Sequence, residues 1–128
     1  MNNLIDLLAR FFISAIFLFS AYNKIFSVDG TMSWMEGFGL PGLLLYPAIA
    51  IEIILPILII IGYKAKLSAF FLAIFCIATA FIFHYDFANQ MQSIAFFKNL
   101  SLAGGLLFIV VNGTKNWSVD REKKYVRL

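Results

Sequence analysis

The sequence is poor in charge, cysteine, histidine and proline. Of its 128 residues only 13% are charged, and it holds one Cys, one His and three Pro. So little charge excludes a water-soluble domain of this size, whose surface would carry many more polar side chains. The lone Cys76 excludes an intramolecular disulfide and a CxxC dithiol pair, and it reads as a small apolar packing residue. One His and no Cys cluster exclude bound haem, zinc and iron–sulfur centres, so no metal ligand is assigned. Neither a Gly-rich phosphate loop nor a GxSxG elbow occurs. Disorder is excluded by the wealth of large apolar residues, Phe alone supplying 15.

What the chain has is oil: 62% of its residues are hydrophobic and its mean hydropathy is +0.88. Four apolar runs, at about 4–21, 43–61, 67–84 and 94–111, are each long enough to cross a bilayer as a helix. The predicted fold is therefore all-α: a polytopic four-helix membrane bundle formed as one domain over 1–128, with a basic tail at 113–128 and no soluble domain or Ser/Gly linker. The first run is expected to be retained rather than cleaved as a signal peptide. Arg10 lies inside it, no basic residue precedes Arg10, and "FSAYN" places Phe19 where cleavage wants a small residue.

The basic residues set an expected orientation. Lys64 and Lys66 lie between spans two and three, and Lys115, Arg121, Lys123, Lys124 and Arg127 follow span four. The opposite loops hold Asp29, Glu36 and Asp86 with no Lys or Arg, so both termini are predicted to be cytoplasmic. The net charge of +3 is then a topology signal. No nucleic-acid partner is expected, because the tail lacks basic residues patterned on a folded face.

Each span carries a narrow polar or small stripe. Asp6, Arg10, Ser14, Ala21 and Lys24 share a face of span one, and Lys98, Ser101, Gly105 and Asn112 do the same on span four. Span three offers Cys76, Ala80 and His84 with Thr79 beside them, and Glu52 marks that side of span two. Such stripes turn inward in lipid, which predicts a bundle with a polar seam. Ser101 and Gly105 read as close helix packing, with room for a flat ligand as the alternative. Asn112-Gly113 suits a C-cap and Trp117 the headgroup level. The first outer loop, with Trp34, Met35, Phe38 and Leu40, is too apolar for solvent. It is expected to lie flat in the interface or to fold back over the bundle mouth.

In "AIAIEIILPILII", residues 48–60, a single carboxylate sits within a hydrocarbon run. Glu52 lies about 13 Å below the outer end of its helix, where a charge costs roughly 2.5–3.5 kcal/mol. It must be paired, protonated or facing trapped water. Arg10 is the nearest cation by depth, with Asp6 competing for it as an i,i+4 partner. Pro56 deprives the Glu52 carbonyl of its helical partner and predicts a kink. Two readings stand side by side: a structural Glu52–Arg10 clamp, and a carboxylate that accepts protons or holds a ligand. Lys24, His84, Lys98 and Asn99 fall at one level nearer the outer leaflet. Singly each is ordinary, since lysines near helix ends snorkel and an interfacial His usually makes a hydrogen bond. Together they predict a cation-lined pocket with an acid–base pair, Glu52 and His84, suited to a polar head with carbonyl or acidic oxygens.

These residues carry a resemblance. "ARFFISAIFLFSAYNKI", "GFGLPG", "AIEIILPILIIIGY", "FIFH" and "FFKNLSLAGGLL" together resemble the DoxX family of small bacterial four-helix membrane proteins. The match runs over nearly the whole chain through Arg10, Lys24, Gly39-Leu40-Pro41, Glu52, Gly62, His84, Lys98-Asn99 and Gly105. It implies a place in the bacterial inner membrane and an association with quinone-linked oxidoreductases. On that reading the chain is a quinone-interacting oxidoreductase or a subunit of one, working with redox partner proteins and holding no covalent cofactor. Glu52 and His84 are its candidate catalytic residues, and Arg10, Lys24, Lys98 and Asn99 its candidate ligand-binding residues. Association into a homo-oligomer is compatible with the size and fold. The family pattern would place Gly at 21 or 23 and again soon after Glu52; Ala21, Asn23, Ile53, Ile54 and Pro56 stand there instead, which predicts a narrower or differently kinked pocket. The alternative is a non-catalytic scaffold, or a carrier of lipids or other small lipophiles, braced by the Glu52–Arg10 clamp.

Overall fold

A computed structural model describes residues 1–120 of the chain. Arg121, Lys123, Lys124 and Arg127 of the expected basic tail lie outside the described residues. All regular structure among those described is helical: α1 Asn2–Ile25, α2 Val28–Glu36, a 3-10 turn Gly42–Leu44, α3 Leu45–Ile61, α4 Ala65–Phe83 and α5 Gln90–Asn112. Four elements are long and apolar enough to span a membrane: α1, α3 with its leading 3-10 turn, α4 and α5. They overlie the four predicted runs and extend most of them by a turn or less. Around them large apolar side chains point outward, among them Phe11, Phe12, Phe19, Ile54, Phe70, Phe71, Phe97, Phe108 and Val111, as a lipid-facing belt requires.

The core forms where small residues let helices approach. Ala65, Ala69, Ala73, Cys76 and Ala80 recur at helical spacing along one face of α4, and all are buried. Ala103 and Leu106 of α5 pack against that face, with Phe17 of α1 and Ile59 of α3 completing the cluster. α3 sits between α1 and α4, while α1 and α5 touch only sparsely. One of those contacts is Gly105, where an added Cβ would come 2.8 Å from Ile13 Cδ1. Gly105 therefore serves close packing, as its spacing implied. Two members of the α5 stripe do not turn inward as predicted: Ser101 and Asn112 are exposed. The alanine face of α4 selects Ala103 and Leu106 as the buried positions, which rotates Ser101 out of the core.

α1 does bury its polar stripe, with Arg10, Ser14, Phe17 and Ala21 all inside. Arg10 is only 1% exposed and heads the list of fully buried side chains by size. Its guanidinium donates to the carbonyl oxygens of Ile59 and Ile60, where α3 ends, to Trp117 O at 2.7 Å, and to Asp6 Oδ2 at 3.0 Å. Terminal helix carbonyls lack intrahelical donors and carry partial negative charge, so a guanidinium there is doubly favoured. Asp6 also accepts from the Lys115 N–H, and Asp120 accepts from the N–H groups of Lys64 and Ala65 at the start of α4. Residues 113–120 are thus strapped across the end of the bundle where α1 begins.

Gly62 makes that closure possible. It ends α3 in the left-handed region at φ 75°, with its N–H and that of Tyr63 returning to the last turn of α3. A Cβ built there would overlap Ser118 of the strap. The predicted Asn112-Gly113 cap is also present: Gly113 has φ 69° and donates to Ile109 O at 2.7 Å. Thermal unfolding in detergent should show Gly62→Ala destabilised by about 1–3 kcal/mol, from left-handed strain plus the clash. Gly30→Ala, in the first turn of α2 with nothing within 4 Å of the added methyl, should be neutral or slightly stabilising.

Candidate functional site

The apolar outer loop folds into α2 and returns over the opposite end of the bundle. Trp34 stacks on Phe83 of α4 with ring centroids 4.6 Å apart, and Phe38 meets the same ring edge-on at 5.2 Å. Met35, on the inner face, is buried. Of the two expectations for this loop, the one that folds over the bundle mouth describes it.

Beneath α2 lies a cavity of about 410 Å³ to which every helix contributes. Most of its wall is apolar, drawn from residues such as Ile16, Phe17, Leu45, Phe75 and Leu102. Into it come Ser20 and Lys24 from the last turns of α1, Thr31 from α2, Glu52 from α3, Thr79 and His84 from α4, and Lys98 and Asn99 from α5. Five of the six residues singled out in the sequence, Lys24, Glu52, His84, Lys98 and Asn99, therefore share one cavity. The sixth, Arg10, does not line it.

Glu52 is 4% exposed and pairs with Lys24, whose Nζ lies 2.7 Å from Oε1 and 2.6 Å from Ser20 Oγ. The expected Glu52–Arg10 clamp is not formed. Arg10 is saturated by three carbonyls and Asp6 at the other end, and Ile59 lies seven residues, about 10 Å, beyond Glu52 along α3. Lys24 reaches Glu52 instead because it hangs from the top of α1 and can extend its flexible stem downward. Glu52 Oε2 has no hydrogen bond among the described residues. α3 continues unbroken through Pro56, which is buried one turn after Glu52 and cannot donate to its carbonyl.

The other polar groups are held from behind. His84 Nδ1 lies 2.6 Å from Gln92 Oε1. With an amide oxygen accepting, Nδ1 carries the proton and Nε2 of the neutral ring remains an acceptor. The Asn99 amide donates to Thr79 Oγ1 at 3.1 Å and to the Cys76 carbonyl at 3.4 Å. No cluster of His, Cys, Asp and Glu able to hold a metal occurs among the described residues. The arrangement can receive an amphipathic molecule: a greasy body against the wall, and polar oxygens against two ammonium groups with a carboxylate and an imidazole alongside.

Sequence reading missed Ser20, Gln92 and the cover residue Thr31, and named Trp34 only as part of the loop that folds over the mouth. Ser20 was within reach, since it precedes Lys24 by one helical turn. Gln92 was not, because only the course of the 84–90 turn brings it back to His84.

The DoxX family profile matches residues 5–85. The chain is 36% identical over 115 residues to inner membrane protein YqjF of Escherichia coli strain K12, covering 90% of this chain and 88% of that protein. It is 31% identical over 122 residues to inner membrane protein YphA of the same strain, covering 90% and 87%. The Surfeit locus protein 4 homolog of Schizosaccharomyces pombe is 34% identical over 74 residues, which is 52% of this chain and 24% of that one. No solved structure matches.

Removing one partner of the Lys24–Glu52 pair should cost unequal amounts. Lys24→Met strands a buried carboxylate and should lower stability by about 2–4 kcal/mol, at or below the range for buried pairs because Lys24 is partly exposed. Glu52→Gln leaves an ammonium able to turn outward and should cost less. The double variant should recover most of the Lys24→Met loss, as read by thermal melts of the four proteins in one detergent.

Proposed function

The chain belongs to the DoxX family and is a multi-pass inner-membrane protein, and from that premise we propose that its cavity receives a quinone as a quinone-linked oxidoreductase or a subunit of one. The observation that carries the reading is one mostly apolar cavity, of a volume typical for small-molecule sites at about 300–1,000 Å³, into which Lys24, Glu52, His84, Lys98 and Asn99 all come. Lys24 and Lys98 suit the quinone oxygens as donors, and the aromatic and aliphatic wall suits the ring and tail. Reduction of a quinone to a quinol takes up two electrons and two protons. Glu52 and the His84 ring are placed to hold or pass the protons, each within the cavity and each backed by a fixed partner. The electrons would come from a partner oxidoreductase. With both termini cytoplasmic, as the basic loops imply, the cavity lies toward the outer leaflet. A lipophile would then enter from the bilayer where α1 and α5 meet sparsely. Arg10 has a structural role in this reading, bracing the end where α1 begins and α3 stops.

A second reading keeps the site and drops the electron transfer: a carrier or scaffold holding a lipophile in the same cavity. The closed Lys24–Glu52–Ser20 contacts favour it, because they satisfy these groups without any substrate.

Both readings meet in one experiment. Protein purified in mild detergent should carry near-stoichiometric quinone in its organic extract. That quinone should fall several-fold in Glu52→Gln and in a cavity-filling Ala48→Phe variant, each of which still folds. A tightly held phospholipid with no quinone above the detergent background would leave the carrier reading alone standing.

A further inference from the structure

Charge does not balance inside the cavity. Its wall presents two ammonium groups, Lys24 and Lys98, against the single carboxylate of Glu52. Glu52 already faces Lys24. Lys98 has no hydrogen bond or ion pair among the described residues, where the other ion pair is Arg10–Asp6 at the far end of the bundle. The remaining acids near the cover do not line the cavity: Glu36 lies beside Gly42, Asp29 is in the first turn of α2, and Asp86 accepts from the Ala88 N–H.

Lys98 is also deep. It stands eight residues into α5, about 12 Å from the start of that helix. Its neighbour Asn99 bonds the carbonyl of Cys76, itself seven residues, about 10 Å, before the end of α4. Two helices thus agree on the depth, which sets Lys98 and Asn99 about 10 Å below the end of α4 that His84 caps, and not at one level with it as the sequence suggested. An ammonium in hydrocarbon at that level is costly unless an anion or trapped water meets it. Nearby donors are already occupied: Asn99 Nδ2 serves Cys76 and Thr79, and the Thr79 hydroxyl serves carbonyls of α4. Lys98 is the group left open to a ligand.

We infer that Lys98 selects a lipophile whose head carries one ionised oxygen, a carboxylate or phenolate, over a neutral molecule with the same tail. This rests on the cavity being a lipophile site and narrows its ligand class: within the quinone reading it favours the quinol monoanion, a phenolate, over the neutral quinone. The head oxygen meets Lys98, the Lys24–Glu52 pair stays closed, and the charge in the cavity sums to zero. Lys98 is a specificity residue here, with no bond made or broken.

Native mass spectrometry of the full chain in a non-ionic detergent tests this, with palmitate and hexadecanol competing at a pH where the acid is ionised. Palmitate should bind at least about tenfold tighter than the alcohol, as a charge-assisted hydrogen bond would give. Lys98→Gln should lose the preference while still binding hexadecanol, and Lys98→Arg should keep it. Equal affinity of the wild type for acid and alcohol would overturn the inference and leave the lipophile site intact. A preference that survives Lys98→Gln would also overturn it. Binding of neither probe, nor of a quinone analogue, would remove the site itself and the inference with it.

Discussion

A carboxylate in the middle of a membrane-spanning helix has to be paired, protonated or hydrated, and the Lys24–Glu52 pair is the answer here. Much of the functional half of the molecule depends on it. The pair ties the top of α1 to the middle of α3 and holds the two helices at the spacing that leaves a cavity between them. Ser20 completes the ammonium's contacts from one turn below. Without Lys24 the carboxylate would have to be protonated or hydrated, and the wall around it is too apolar to supply either relief easily. The pair keeps one Glu52 oxygen fixed and leaves the other without an internal hydrogen bond.

The two ends of the bundle use charge in opposite ways. At the end where α1 begins, Arg10 fills carbonyls, Asp6 and Asp120 fill N–H groups, and residues 113–120 close over the result. That end is a clasp. At the α2 end the polar groups outnumber the partners offered to them, and an apolar wall surrounds them. A fold that can saturate a guanidinium with four acceptors at one end has no physical need to leave an ammonium unpaired at the other. The asymmetry sets a closed pole against one whose polar groups stay open, within a chain of 128 residues.

The spans were legible because apolar length is a sufficient signal in lipid, and α1, α3, α4 and α5 follow it closely. The membership of the cavity was legible from depth alone for Lys24, Glu52, His84, Lys98 and Asn99. Pairing was not. Depth placed Arg10 nearest to Glu52, but the guanidinium was claimed by carbonyls at the end of α3 and by Trp117, a residue distant in sequence whose return depends on the Gly113 turn. The orientation of α5 was also hidden, since its stripe of Lys98, Ser101, Gly105 and Asn112 looks inward on a helical wheel. The small face of α4, read as packing, decided which side of α5 was buried. The outer loop declared its greasiness but not its choice between interface and cavity, which the stacking of Trp34 on Phe83 settles.

The central claim is that a quinone occupies the space beneath α2. Trp34 lines that space while Trp117 lies at the other end, so a Trp117→Phe protein reports on the cavity through a single indole. Titrating it with a short-tailed quinone should quench Trp34 fluorescence saturably, with the quenching strongly reduced when Ala48→Phe fills the cavity. Quenching that rises linearly with quinone in the detergent, and is the same in the filled variant, would contradict a quinone site under α2.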